Sequence, residues 1–185
     1  MWYLFRHPQT ILNEQQKYHG WSYAPYSHLG EKQLKNMVEF SKQLPVSQIL
    51  CSDLPRCQEA AKQISLVKKL QPVSTKLLRE LNFGEWHGYS YNELAKKYPN
   101  IMKKWSDDPW NNAPLNGETL TELKNRCLEL YKKYNEINLL IVSHGGVIAL
   151  FQQLLNNKPY WQLLPKNNQC IKINWETKQI ESIDI

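Results

Sequence analysis

At 185 residues, with 42% hydrophobic and 22% charged residues, the chain has ordinary globular composition and enough length for one sizeable core, which argues against a disordered or collagen-like protein. A net charge of +6 admits anionic partners, yet the lysines come as dispersed pairs such as Lys68 and Lys69 or Lys132 and Lys133, so solvated faces are expected and no nucleic-acid arm. Apolar runs such as residues 139 to 142 are too short to cross a bilayer, and Arg6 interrupts the N-terminal run, so no membrane partner and a cytoplasmic location are expected.

In chain order, residues 2 to 6 read as a buried strand that stops at Arg6-His7. Leu34, Met37, Val38 and Leu44 share one face of a helix over 31 to 44, with Gly30 before it and Pro45 after. The apolar run 48 to 51 is a second strand, and Ser52-Asp53 is expected to cap a helix carrying Pro55 in its first turn, then Ala60, Ala61 and Ile64. Leu77-Leu78 reads as another short strand, delivering Arg79-Glu80 at its end.

Residues 89 to 116 break the pattern, with a short helix near 92 to 97 and then Trp105, Pro109, Trp110 and Pro114. This turn-rich insertion is expected to form a small lid. A helix over 118 to 134 follows, then a strand at 139 to 142, Ser143-His144-Gly145-Gly146, and a helix over 146 to 155. The alternating stretches 170 to 175 and 181 to 185 suggest an edge hairpin. Strands alternating with helices predict an α/β fold, a three-layer α/β/α sandwich on a mostly parallel sheet, as a single domain over 1 to 185. Cys51, Cys57, Cys127 and Cys170 show neither CxxC nor metal-site spacing and are expected to be reduced and mostly buried.

In open α/β sheets, sites form at the carboxyl ends of the strands. Those ends carry His7 and His144, Arg6 and Arg56, and Glu80. That set suits a phosphate monoester. Guanidinium forks bind phosphate oxygens in pairs, the helix start at Gly145-Gly146 adds N–H donors, and a neutral imidazole is a competent nucleophile toward phosphorus. Arg6 beside His7 disfavours imidazolium, and Glu80 is placed to protonate a leaving alkoxide and then to activate water. Taken singly, each residue has a blander role as cap, core or surface group; their joint placement gives the pattern its force.

Arg6-His7 with Thr10 and Asn13, Ser52-Asp53-Leu54-x-Arg56, Leu78-Arg79-Glu80-x-x-Phe83-Gly84-x-Trp86-x-Gly88, Gly117-Glu118-Thr119 and Val142-Ser143-His144-Gly145-Gly146 together resemble the histidine phosphatase superfamily in its phosphoglycerate-mutase-like branch. His19-Gly20-Trp21-Ser22 and Leu29-Gly30-Glu31-x-Gln33 resemble the family's approach to its first helix, and the likeness covers roughly residues 1 to 155. The resemblance implies His7 as the phosphorylated nucleophile and Glu80 as proton donor. It implies Arg6, Arg56 and His144 as phosphoryl ligands, with Asn13, Thr10, Trp21 and Gly145 on the substrate, no metal and no cofactor.

Pro8 and Gln9 depart from the family's Arg-His-Gly-Glu. Proline leaves the residue-8 carbonyl free to accept from His7 Nδ1, and glutamine removes a negative charge expected near the pocket. The expected partner is a small phosphorylated metabolite, with α-ribazole 5′-phosphate ranked first and water as final acceptor. A mutase and a non-catalytic phospho-ligand binder stand as alternatives. Trp86 and Tyr89 are expected in the core, Trp105 and Trp110 either on ligand or within the lid, and His19, His28 and His87 at the surface or behind the site.

Overall fold

The computed structural model describes residues 1–185. Its framework begins with the alternation in β1 (Trp2–Arg6). Trp2 and Leu4 point into one apolar cluster with Leu139 and Ile141, whereas Tyr3 and Phe5 point into a second with Leu140 and Val142. Successive side chains of a strand face opposite sides, so a strand apolar on both must be covered on both.

The covers follow in sequence. α1 (Ile11–Glu14) is a single turn, and α2 (His28–Ser41) lies beside α3 (Pro55–Lys68), reached through β2 (Gln48–Ser52). Met37 of α2 and Ala60, Ala61 and Ile64 of α3 fill the second cluster. β3 (Pro72–Thr75) leads to α4 (Tyr91–Lys97) and α5 (Pro99–Asp107). After these, α6 (Leu120–Tyr134), β4 (Leu139–Ser143) and α7 (Gly145–Gln153) supply the first cluster with Leu120, Leu123, Cys127, Val147 and Phe151. β5 (Gln169–Asn174) and β6 (Gln179–Asp184) close the chain as an antiparallel hairpin.

The sheet order is β3-β2-β4-β1-β5-β6, parallel from β3 through β1 and antiparallel thereafter. Register decides the site. Arg6 pairs with Ser143, and Cys51 with Val142, so the carboxyl ends of β1, β2 and β4 lie side by side. The three-layer α/β fold is as expected, as is the hairpin, whose inner strand β5 also pairs with β1.

Three expectations are corrected. Leu77-Leu78 is not a strand: the strand is β3, and residues Lys76–Leu78 form a 3₁₀ turn after it. β3 is a polar edge strand, so it carries none of the apolar periodicity that reveals its neighbours. The side chains of Ser52 and Asp53 do not cap α3; Leu54 occupies the N-cap without a side-chain bond, and Ser52 Oγ accepts from Leu54 N. The all-buried cysteines are free thiols, as expected.

Gly30 lies inside α2 rather than before it. The helix begins two residues earlier, where Ser27 Oγ accepts from Gly30 N. Glycine is required there by proximity, because a Cβ at this position would lie 1.9 Å from the Gln9 carbonyl oxygen. Gly30→Ala is therefore expected to force α2 away from the segment after β1 and lower stability by about 1–3 kcal/mol, read by denaturant unfolding. An unchanged midpoint would show that the helix is free to move.

Candidate active site

A cavity of about 460 Å³ opens over the carboxyl ends of β1, β2 and β4. Arg6, His7, Arg56, Glu80, Gly145 and Asn13 line it, together with His19, Lys17, Tyr160 and an aromatic wall that includes Tyr18, Phe83, Trp105 and Trp161.

His7 is held from both ends. Its backbone N–H donates to Ser143 O (2.9 Å), continuing the β1–β4 ladder, and its Nδ1 lies 2.7 Å from Pro8 O. A carbonyl only accepts, so Nδ1 carries the proton and Nε2 keeps the lone pair. Burial, then Arg56 and Arg6, push the imidazole well below its ordinary value. The Pro8 substitution thus preserves the bond that sets the nucleophile's tautomer. Gln9 faces elsewhere: its N–H donates to Gln33 Oε1 (2.8 Å), and its Oε1 accepts from Ser27 Oγ (2.7 Å). It does not line the cavity, so the expected loss of a negative charge at the pocket is corrected to a change in the packing of α2.

Two guanidinium groups flank the imidazole. Arg6 Nη1 donates to Pro165 O (2.8 Å), and Gly145 Cα lies close enough that a Cβ would sit 3.4 Å from Arg6 Cζ. Arg56, 5% exposed, donates through Nη2 to Gly20 O (2.6 Å) and His144 Nδ1 (3.0 Å), and through Nη1 to Ser22 O (3.3 Å) and His19 Nε2 (3.4 Å). All of these acceptors are neutral. Each guanidinium also retains a buried Nε without a partner. Neither guanidinium is therefore paired directly with a carboxylate, and positive charge gathers at one end of the cavity, where a phosphate dianion would satisfy it.

Glu80 arrives by a braced segment. Arg126 of α6 forks onto Glu118 (2.7 and 2.8 Å) and uses its remaining hydrogens on Leu77 O (2.9 Å), Arg79 O (3.1 Å) and Glu80 O (3.4 Å). Arg79 does not pair with Glu80 but forks onto Asp53 (2.7 and 2.6 Å), tying this segment to the end of β2. Those bonds hold the Asp53 carboxyl below its ordinary value. The Glu80 carboxylate accepts from Leu81 N (2.9 Å) and Gly146 N (3.2 Å), and Gly146 is again a matter of space: a Cβ there would lie 2.3 Å from Glu80 Oε1 and 2.6 Å from Tyr160 OH.

Several sequence-predicted residues stand elsewhere than at the cavity surface. His144 is fully buried behind His7, ring centroids 5.2 Å apart, with its Nδ1 on Arg56 and its Nε2 3.5 Å from Cys57 Sγ. Thr10 caps α1 and is fully buried, and Trp21 donates to the Glu80 carbonyl (2.7 Å) from outside the cavity, under the Arg79 guanidinium. Trp86 is core as expected, and Trp105 is both cavity wall and core. Trp110 packs against the core without reaching the cavity.

His19 was expected at the surface or behind the site; it is buried and lines the cavity. Tyr160, whose hydroxyl is pushed well above its ordinary value by burial and then by Glu80, had no sequence signal because it stands in a 3₁₀ turn, Tyr160–Leu163, outside every motif.

The histidine phosphatase superfamily (branch 1) profile matches residues 2–183. The chain belongs to that superfamily. It is accordingly an enzyme of the phosphatase kind. It is 30% identical over 164 residues to the adenosylcobalamin/α-ribazole phosphatase of Salmonella typhimurium, covering 85% of this chain and 80% of that one. An uncharacterized phosphatase of Bacillus subtilis is 30% identical over 173 residues, covering 91% and 84%. The crystal structure of the α-ribazole phosphatase from Shigella flexneri superposes with a TM-score of 0.83 at 25% identity, covering 100% of this chain and 95% of that one. No helix is long and apolar enough to cross a membrane.

Three imidazoles of this family member share one electrostatic state. Burial comes first for His7, His19 and His144, and Arg56 second for each; His19 is pushed down to about 3. A histidine depressed in the fold stays neutral while the unfolded chain takes up protons as pH falls through about 6.5. Stability is thus expected to be intact above that pH and to decline below it, by at most about 1.4 kcal/mol per histidine per pH unit. Urea unfolding at pH 7.5, 6.0 and 5.0 checks this, and a flat profile would mean that the imidazoles are charged in the fold.

Proposed function

We propose that this chain is a metal-independent phosphomonoesterase that works through a phosphohistidine intermediate on a small phosphorylated metabolite, with α-ribazole 5′-phosphate as the first candidate. The observation that carries the reading is the neutral His7, its lone pair left on Nε2, between two buried guanidinium groups with unpartnered Nε atoms. Those groups supply the positive charge that a metal ion would otherwise bring. The substrate candidate rests on the names of the relatives and on the aromatic wall, which suits a flat leaving group.

In the first step the His7 Nε2 lone pair forms the N–P bond while the P–O bond to the leaving alcohol breaks, and Glu80 gives its proton to the departing oxygen. Arg6 and Arg56 hold the phosphoryl oxygens throughout, and the Pro8 carbonyl supports the positive charge that grows on the ring. Glu80, now a carboxylate, then takes a proton from water. The new O–P bond replaces N–P, releasing phosphate and restoring His7. Gly145 N–H and Asn13 are assigned to the phosphoryl end. His144 acts by orienting Arg56, and Thr10 and Trp21 act by holding the segments that carry Asn13 and Glu80. Residues 89 to 116 form the cover through α4 and α5, within one domain spanning 1 to 185.

The test is a phosphomonoester panel containing α-ribazole 5′-phosphate, assayed in EDTA with wild type, His7→Ala and Glu80→Gln. Turnover in EDTA is expected for the wild type. His7→Ala is expected to lose at least about a thousandfold and Glu80→Gln about a hundredfold or more, as fits a covalent nucleophile and a general acid. Equal rates in all three would sink the mechanism, and isomerisation of 3-phosphoglycerate with 2,3-bisphosphoglycerate outpacing phosphate release would make it a mutase.

A further inference from the structure

The turn that carries His19 does more than connect α1 to α2. It supplies three of the four acceptors around Arg56: His19 Nε2, Gly20 O and Ser22 O. The two carbonyls are fixed by the backbone, whereas the ring nitrogen accepts only in one protonation state and one tautomer. Both conditions are set by neighbours. Thr10 Oγ1 spends its single proton on Asn13 Oδ1 (3.0 Å), so at the 3.1 Å contact with His19 Nδ1 the ring must donate. That leaves Nε2 as the lone-pair nitrogen, aimed at Arg56 Nη1. Burial and the nearby Arg56 charge keep the ring neutral.

We propose that His19 is a positioning residue that holds Arg56 for the phosphoryl group, its tautomer locked by the Thr10–Asn13 cap. The chain Asn13, Thr10, His19, Arg56 joins Asn13 and Arg56 at the cavity wall through Thr10 behind it and His19, which also lines it. A filler role for a buried ring needs neither nitrogen placed in this way.

The proposal rests on the phosphate-site reading above, so the readout is binding of inorganic phosphate by titration calorimetry rather than turnover. Glutamine places an amide oxygen near the position of Nε2, while asparagine places an amide N–H near Nδ1 and cannot reach Arg56. His19→Asn is expected to weaken phosphate about tenfold and His19→Gln by no more than about twofold, the scale of one hydrogen bond to a charged group. In an Arg56→Ala background, the further change His19→Asn is expected to cost less than about twofold.

Equal affinities for the Asn and Gln variants, or an undiminished His19→Asn penalty without Arg56, overturn the proposal. Should His19→Asn fail to fold, Thr10→Val keeps the ring but removes the acceptor that fixes its tautomer; it is expected to weaken phosphate severalfold, and unchanged binding overturns the proposal. A wild type that binds no phosphate overturns it as well. Phosphate binding that follows this pattern in a protein without turnover supports the positioning role while sinking only the phosphohistidine reading.

Discussion

The structure is organised around an electrostatic debt: two buried guanidinium groups, Arg6 and Arg56, whose hydrogen-bond partners are all uncharged. Burying a cation without a counter-ion is costly, and burial does pull both groups below their ordinary values. Glu80 is the carboxylate that offsets this most, through space and not by contact. The fold tolerates the arrangement because three backbone carbonyls from two loops, Gly20 and Ser22 in one and Pro165 in the other, turn their oxygens toward the guanidinium hydrogens. What is unfavourable in the free protein is complementary to a dianion.

The same field explains the histidines. An imidazole next to a carboxylate would become an imidazolium, whereas His7, His19 and His144 surround a cation and stay neutral. Neutrality makes each ring an acceptor on one nitrogen, and local partners choose which: Pro8 O for His7, Thr10 for His19, Arg56 for His144. Carboxylates that could have spoiled this are engaged elsewhere, Asp53 with Arg79 and Glu118 with Arg126. Both of those pairs also fasten the segment that presents Glu80, so the groups excluded from the site help to build it.

The sequence was most informative where a short apolar run met a charged residue. β1, β2 and β4 were legible because strands covered on both faces read as continuous apolar runs, and their ends named Arg6, His7 and His144. Glu80 was legible through its motif, although the strand inferred before it was misplaced, since β3 at the sheet edge has a mixed, partly exposed face. His19 escaped because its importance lies in a turn that folds back on Arg56, 37 residues away, and nothing periodic marks such a contact. Gly30 read as a stop signal when its real constraint was the carbonyl of Gln9 pressing on the helix. Local pattern reports burial and periodicity; it is silent about which nitrogen of a ring meets which loop.

The position of β1 in the sheet has a bearing on biosynthesis. β1 has as its neighbours β4 and β5, both made more than 130 residues later in the chain. Until those strands have been made, the segment Trp2-Tyr3-Leu4-Phe5 has no sheet to join and must be kept from pairing with other chains. The nucleophile is therefore synthesised well before the strand that seats it, so an incomplete chain that lacks β4 cannot hold His7 against Ser143. A polypeptide stalled midway through synthesis would carry the reactive residue without the setting that makes it reactive.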